Sequence, residues 1–236
     1  MVIAPEQRII YALDVPDMAT ARNQVALLAG RVGVFKVGLE LFIKEGPEVV
    51  KMVHGEGGQV FLDLKLHDIP ATMTAGIRSA AALGTRFLTV HSEAVMGAKT
   101  PMGEIAPGLS VLGVTALTSL GSGALAAMGL KDSLCDPAQL VLKRARMAYQ
   151  AGCAGVVCSA NEARRVRAEY GPDFLIITPG IRPADAGADD QARIATPAQA
   201  IKDGADYLVI GRPIRKAADP VAAAGRIAEE IASAIA

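Results

Sequence analysis

An α/β fold, a closed (β/α)8 TIM barrel, is predicted by three observations. Short β-rich runs alternate with alanine-rich helical segments, eight such runs fit within 236 residues, and polar groups recur just where those runs end. The expected strands are Arg8–Val15, Val34–Leu39, Gln59–Leu66, Thr85–His91, Ser110–Leu117, Gly155–Ser159, Phe174–Thr178 and Tyr207–Ile210. Helical patterns between them predict Met18–Gly30, Lys44–His54, Ala71–Ala82, Ala138–Ala151, Asn161–Tyr170, Pro197–Asp203 and, after the last strand, Pro220–Ile235. The segment 95–108 is short and broken by Pro101 and Pro107, which argues against a helix there. Crossovers of this length imply parallel pairing. An open doubly wound sheet is the alternative, weakened because no G-x-G-x-x-G follows the first strand. No linker, low-complexity tract or charge block divides the chain, so one domain over residues 1–236 is expected.

Composition excludes several classes of function. With 24 basic and 24 acidic residues, nothing global asks for nucleic acid or an anionic membrane, so any anion must be held by local groups. The chain has no Trp and few aromatics, which argues against a stacking surface for single strands. Cys135, Cys153 and Cys158 are an odd number without a ligand pattern, so neither a disulfide framework nor a structural zinc is expected, and a reducing cytoplasm fits. Residues 1–6 are too short and polar for a signal peptide, and the apolar run that follows contains Asp14. No stretch approaches the roughly eighteen apolar residues a membrane helix needs.

In such a barrel, chemistry sits at the C-terminal ends of the strands. The first expected strand ends in Leu13-Asp14, and the second carries Lys36 before Val37-Gly38. The third is the most informative. Alternation puts Asp63, Lys65 and His67 on one face and Leu62, Leu64 and Leu66 on the other. If the leucines face the helices, the charges point inward, where an Asp and a Lys would have to be mutual partners. Asp68 precedes Ile69-Pro70, where the strand has ended and a helix begins. Taken singly, these are a structural ion pair and a helix-start carboxylate; together at one strand end they suggest a site. The fourth strand ends in His91-Ser92-Glu93, with His91 read as a satisfied structural histidine, and the fifth runs into Thr115 and Thr118-Ser119.

Two glycine–arginine turns follow, Gly180-Ile181-Arg182 after the seventh strand and Gly211-Arg212-Pro213 after the eighth. Glycines there let backbone N–H groups approach a phosphate, and arginine supplies a permanently charged fork. One such turn alone could be a plain tight turn; two at adjacent strand ends favour phosphate. Residues 182–194 read as a polar lid in which Gln191 could reach the ligand, and 119–135, with Gly121, Gly123 and Gly129, as a second lid. Asp14 is suited to accept from a sugar hydroxyl, with a buried structural carboxylate as the competing reading.

The pattern Asp63-x-Lys65-x-x-Asp68-Ile69-Pro70-x-Thr72 resembles the signature of the orotidine 5′-monophosphate decarboxylases, in particular their compact bacterial form. Ala12-Leu13-Asp14, Lys36-Val37-Gly38, the run 112–119, Thr178-Pro179-Gly180-Ile181-Arg182, Asp190-Gln191 and the run 207–212 occur in family order, so the likeness spans the chain. The resemblance implies decarboxylation of orotidine 5′-monophosphate to UMP without metal or organic cofactor. It implies Lys65 as the proton donor to C6, with Asp63, Lys36 and Asp68 completing an alternating charge network. Thr118 would contact the pyrimidine, Asp14 and Thr72 the ribose, and Arg182, Gln191, Gly211 and Arg212 the phosphate or its closing loop. It further implies a homodimer in which Asp68, Ile69 and Thr72 reach the neighbour's site.

Three rivals remain at this level. A Mg2+-dependent sugar-phosphate decarboxylase or synthase of the same barrel group would want a carboxylate beside Asp63, where this chain has Lys36. A Schiff-base aldolase would use Lys65 as nucleophile. A non-catalytic nucleotide-binding barrel would not need the paired charges.

Overall fold

The computed structural model describes residues 3–117, 120–183 and 195–235. Its strands are β1 (Ile9–Ala12), β2 (Val34–Gly38), β3 (Val60–Leu66), β4 (Phe87–His91), β5 (Ser110–Val114), β6 (Gly155–Val157), β7 (Leu175–Thr178) and β8 (Tyr207–Ile210). They pair in parallel in sequence order, and β8 returns to β1 to close the barrel. The expected (β/α)8 barrel is what forms, and the open-sheet alternative is excluded by that closure. Several strands are shorter than expected: β1, β5 and β6 end two or three residues earlier, and β4 begins two residues later.

The helices are α1 (Met18–Leu28), α2 (Leu39–Glu45), α3 (Glu48–Gly55), α4 (Pro70–Ala82), α5 (Met102–Ile105), α6 (Ser122–Ala127), α7 (Pro137–Gln150), α8 (Ala160–Tyr170), α9 (Pro197–Lys202), α10 (Arg212–Arg215) and α11 (Pro220–Ile235). Local chemistry sets their starts. The Asp17 carboxylate accepts from the Thr20 N–H at 2.8 Å, and Asp136, Ser159 and Thr196 cap α7, α8 and α9 in the same way. Proline in the first turn opens α4, α7 and α9, where its missing N–H costs nothing. The helix expected over Lys44–His54 is instead two, α2 and α3. Gly46 takes a left-handed φ of 62° and Pro47 follows, so the first helix stops and a second starts. The stretch after β4 forms a 3-10 turn, Ser92–Val95, and the single turn α5, while α6 occupies part of the segment expected to be a loop.

Burial follows strand alternation. Tyr11, Phe35, Leu62 and Leu88 point outward, into one core with Val25, Ile77 and Ile227 from the helices. Ile10, Val34, Phe61, Phe87, Leu112, Ile177 and Tyr207 form a second apolar cluster, on the alternate faces, which fills the barrel interior. Phe61 and Phe87 meet edge to face at 5.9 Å, worth about 0.5–1.5 kcal/mol beyond their burial. The Arg86 guanidinium lies 5.1 Å above the Phe87 ring and donates to the Tyr207 hydroxyl at 2.6 Å, at the N-terminal end of the barrel. One alternation toward the other end, the inward positions of β2, β3 and β4 become Lys36, Asp63 and Thr89. The apolar floor supports a polar layer.

Candidate active site

Lys36 stands one alternation beyond Val34 on β2, so its side chain enters the barrel, where the residue is only 9% exposed. An ammonium in such a place must be paired. It donates to Asp14 Oδ1 at 3.0 Å, just past the end of β1, and lies 3.8 Å from Asp63 Oδ2. The other Asp63 oxygen accepts from Lys65 Nζ at 2.8 Å. Four groups therefore form a continuous chain of alternating sign, Asp14–Lys36–Asp63–Lys65, whose formal charges cancel. Lys36 and Asp63 are its most buried members, while the Asp14 side chain is half exposed, so the loss of Lys36 or Asp63 would strand the most poorly solvated charge. Gly38 belongs to this arrangement: a Cβ there would sit 3.3 Å from Lys36 Nζ.

Strand β3 is irregular at the point where it carries the charges. Its pairing with β4 runs Phe61↔Phe87 and Leu62↔Leu88, then resumes at Leu66↔Val90, so four residues of advance on β3 face two on β4. Among the described residues, Lys65 is the one non-glycine with positive φ, at 50°. A long side chain in the left-handed region is strained, by about 1–3 kcal/mol, and the surroundings must hold it there. The buried Thr89 hydroxyl accepts from the Lys65 N–H at 2.9 Å and donates to Asp63 Oδ1 at 3.0 Å. Alternation foresaw the Asp63–Lys65 pair; the bulge it did not foresee, since a period of two assumes an unbroken ladder.

A cavity of about 180 Å3 opens beside these groups. Lys36, Asp63 and Lys65 form one wall, Val114, Ala116, Leu117, Val157 and Val209 another, and Phe61 contributes from the apolar floor. Pro179 also lines it, which brings the loop after β7 to the same cavity. Gly180 has φ 81°, so its turn needs glycine. Arg182 is buried, with its guanidinium donating to the Ile181 carbonyl at 3.1 Å and its backbone N–H to the Ala195 carbonyl at 2.9 Å. Gly211 lies against β1: a Cβ there would be 3.2 Å from Ala12 Cβ and 3.6 Å from Asp14 Oδ2. Arg212 starts the single-turn α10 right after it, and Arg215 donates to the Asp14 carbonyl at 2.6 Å. The turn after β8 thus adjoins the charge chain at Asp14.

Asp68, Ile69 and Thr72 lie apart from that chain within the protomer. All three are exposed, Ile69 by 67%, and the Asp68 carboxylate accepts from the Ile69 N–H at 2.6 Å. Thr118 and Gln191 fall outside the described residues, as does most of the stretch read as the first lid.

Sequence reasoning gave no role to Thr89, Arg215 or Arg144. Thr89 carried a signal, an inward hydroxyl at the position between Phe87 and His91. Arg144 binds Glu93 Oε1 at 2.7 Å and the Thr115 carbonyl at 2.6 Å, tying α7 to the ends of β4 and β5. His91 is not the satisfied histidine expected: its Nδ1 is buried without a hydrogen-bond partner among the described residues and lies 3.8 Å from Glu93. Burial, more than any charge, holds its pKa below the ordinary value, with His67, Arg144 and Lys65 acting in the same direction and Glu93 opposing. Donor atoms of His67, His91 and Glu93 fall within 4.8 Å of one another, but Glu93 is already engaged by Arg144. The core thiols are inert, since burial pushes Cys153 up to about 12 and raises Cys158 as well.

Residues 7–227 match the profile of the orotidine 5′-phosphate decarboxylase / HUMPS family. The chain belongs to that family. An orotidine 5′-phosphate decarboxylase of Anaeromyxobacter sp. (strain K) is 50% identical over 228 residues, covering 95% of this chain and 98% of the relative. Another of that name, from Thermobifida fusca (strain YX), is 49% identical over 224 residues, 94% of this chain and 95% of the relative. A crystal structure of orotidine 5′-phosphate decarboxylase from Lactobacillus acidophilus superposes with a TM-score of 0.79 at 35% identity, covering 94% of this chain and 98% of that one. The orotidine 5′-phosphate decarboxylase / HUMPS family also takes in the resemblance drawn from the Asp63–Thr72 signature. Among the described residues, no helix is long and apolar enough to cross a membrane.

Proposed function

We propose that this chain decarboxylates orotidine 5′-monophosphate to UMP and CO2, the last step of pyrimidine nucleotide synthesis, without a metal or organic cofactor. Relatives about half identical over nearly the whole chain bear the name of that activity. The observation that carries the chemical reading is the Asp14–Lys36–Asp63–Lys65 chain beside a partly apolar cavity.

Loss of CO2 from C6 leaves a carbanion in the ring plane with no electron sink, so the protein has to supply fixed charge and a proton. Lys65 supplies both in this reading: its ammonium faces the cavity and delivers the proton to C6 as CO2 departs. Asp63 orients that ammonium and sets a negative charge against the substrate carboxylate, a repulsion relieved as CO2 leaves. Lys36 sets a positive charge beside Asp63 and, through Asp14, links the network to the ribose hydroxyls. The apolar wall of Val114, Val157 and Val209 suits the departing, uncharged CO2. The phosphate is assigned to Arg182, Gly211, Arg212 and Gln191, the pyrimidine to Thr118, and the ribose to Asp14 and Thr72. Asp68, Ile69 and Thr72 are assigned to the partner's site in a homodimer, consistent with their exposure. One domain over residues 1–236 and a cytoplasmic setting complete the reading.

Lys36 argues against the Mg2+-dependent rival. Its ammonium sits between Asp14 and Asp63, where a divalent ion would have to bind, and so does the neutralising itself. The deciding experiment follows the ultraviolet absorbance change as orotidine 5′-monophosphate is consumed, with and without EDTA. Turnover untouched by EDTA is expected, with Lys65→Ala reducing it by at least about a thousandfold while the circular dichroism spectrum stays native. No turnover by well-folded wild-type protein would overturn the assignment, and loss with EDTA restored by Mg2+ would replace it with the rival.

A further inference from the structure

Lys65 is a catalytic group mounted on irregular backbone, and something must make that geometry reproducible. The extra residues in β3 remove the Lys65 N–H from the regular ladder with β4, since pairing lapses between Leu62 and Leu66. A backbone N–H this near the core needs an acceptor. The acceptor is a side chain, the Thr89 hydroxyl, at 2.9 Å. The same hydroxyl gives its single proton to Asp63 Oδ1 at 3.0 Å, the oxygen that also accepts from Lys65 Nζ at 2.8 Å. A threonine hydroxyl has one donor and two acceptor sites, so both interactions are satisfied together. Thr89 is fully buried, and its inward direction is set by β4 alternation with Phe87 below it. It therefore touches the lysine's backbone and its carboxylate partner but is not among the residues lining the cavity.

We propose that Thr89 is a positioning residue for the decarboxylation. It holds Lys65 in its left-handed backbone conformation and fixes the rotation of the Asp63 carboxylate, so that the ammonium stands at one defined place. This rests on Lys65 being the proton donor. The hydroxyl acts through Lys65 and Asp63 and touches no reacting atom. Its loss should therefore slow the chemical step and spare substrate affinity.

Thr89→Val keeps the shape and removes both hydrogen bonds; Thr89→Ser keeps the hydroxyl and removes the methyl group. Steady-state kinetics with orotidine 5′-monophosphate should show kcat of Thr89→Val lowered by about 10- to 100-fold, the scale of a small misplacement of a catalytic group, with KM within about threefold. Thr89→Ser should retain kcat within about threefold. A Thr89→Val kcat within twofold of wild type would overturn the proposal. So would equal impairment of the Ser variant, which would make the methyl group's packing the cause. If Thr89→Val does not fold, Thr89→Ala carries the same expectation, and the Ser variant keeps its own. Lys65→Ala, assayed alongside, separates the two ideas: if it stays active, the proton-donor reading fails; if it is dead while Thr89→Val is unimpaired, only the role of Thr89 fails. A crystal structure of Thr89→Val should show the Asp63 carboxylate rotated or Lys65 out of positive φ, and an unchanged site would count against the clamp.

Discussion

Lys36 and His91 both enter the barrel mouth, and they meet burial in opposite ways. Lys36 has carboxylates on both sides, Asp14 at 3.0 Å and Asp63 at 3.8 Å. His91 has only a distant Glu93, already held by Arg144, and sits next to His67 with the rings stacked at 5.2 Å. Desolvation wins there, and the pKa falls below its ordinary 6.5. The consequence for stability has a definite sign. In the unfolded chain His91 protonates near its ordinary value, while in the native state it does so only at lower pH. The unfolded state therefore binds more protons below about pH 6.5, and native stability declines as pH falls through that window. His91→Asn, which cannot charge, should lose less melting temperature than wild type between about pH 7 and pH 5. Equal losses in thermal melts at the two pH values would show that this ring does not carry the effect. The sequence points the other way, since His91 at a strand end reads as a satisfied structural histidine, and its lack of a partner depends on side chains from other elements. For Lys36 the position on the second strand was readable, the resemblance implied a place in a charge network, and the pairing with Asp14 came from the structure.

Elements were legible to different depths. The strand runs and the capped or proline-started helices were plain, because period-two burial and the chemistry of helix starts are local. The split at Gly46-Pro47 was present as residues and overlooked as a break. The β3 bulge was hidden, because it depends on how β3 meets β4 and not on β3 alone. Glycines inside strands show the same dependence. Gly113 on β5 looks like a weak strand residue, but an added Cβ would lie 2.5 Å from Ala148 Cβ on α7 and 2.6 Å from Ser92 Oγ. That hydroxyl donates to the Val114 carbonyl at 2.9 Å, so the methyl would press on both a helix contact and a buried hydrogen bond. Overpacking of this kind costs about 1–3 kcal/mol. Gly113→Ala should therefore lower the melting temperature by about 2–12 °C, given about 2–4 °C per kcal/mol for a chain of this size. Calorimetry giving a change under about 1 °C would mean that α7 moves away freely.

For the molecule as a whole, the decisive question is whether one chain makes a complete site. The charge chain and the phosphate-type turns are intramolecular, and their legibility came from the fold: once strand ends meet at one mouth, residues far apart in sequence converge. Asp68 is different. It lies on the exposed turn between β3 and α4, followed by an isoleucine 67% exposed, beside an apolar groove of about 310 Å3 between α4 and residues 94–105. An exposed apolar residue and groove next to a carboxylate fit a surface completed by another protomer. On that reading, Lys65 of one protomer works with Asp68 of the other, and each point variant spoils a different half. Lys65→Ala and Asp68→Ala should each be inactive, or nearly so, as homodimers. Co-refolded in equal amounts, half of the dimers are mixed, and each mixed dimer has one site built entirely from native residues. Activity should then return to roughly one quarter of wild type, since twofold symmetry forces both defects into the other site. Differently tagged chains purified in tandem would verify that mixed dimers are present. If those dimers stay inactive, Asp68 serves its own protomer or none, and the site must be completed within a single chain.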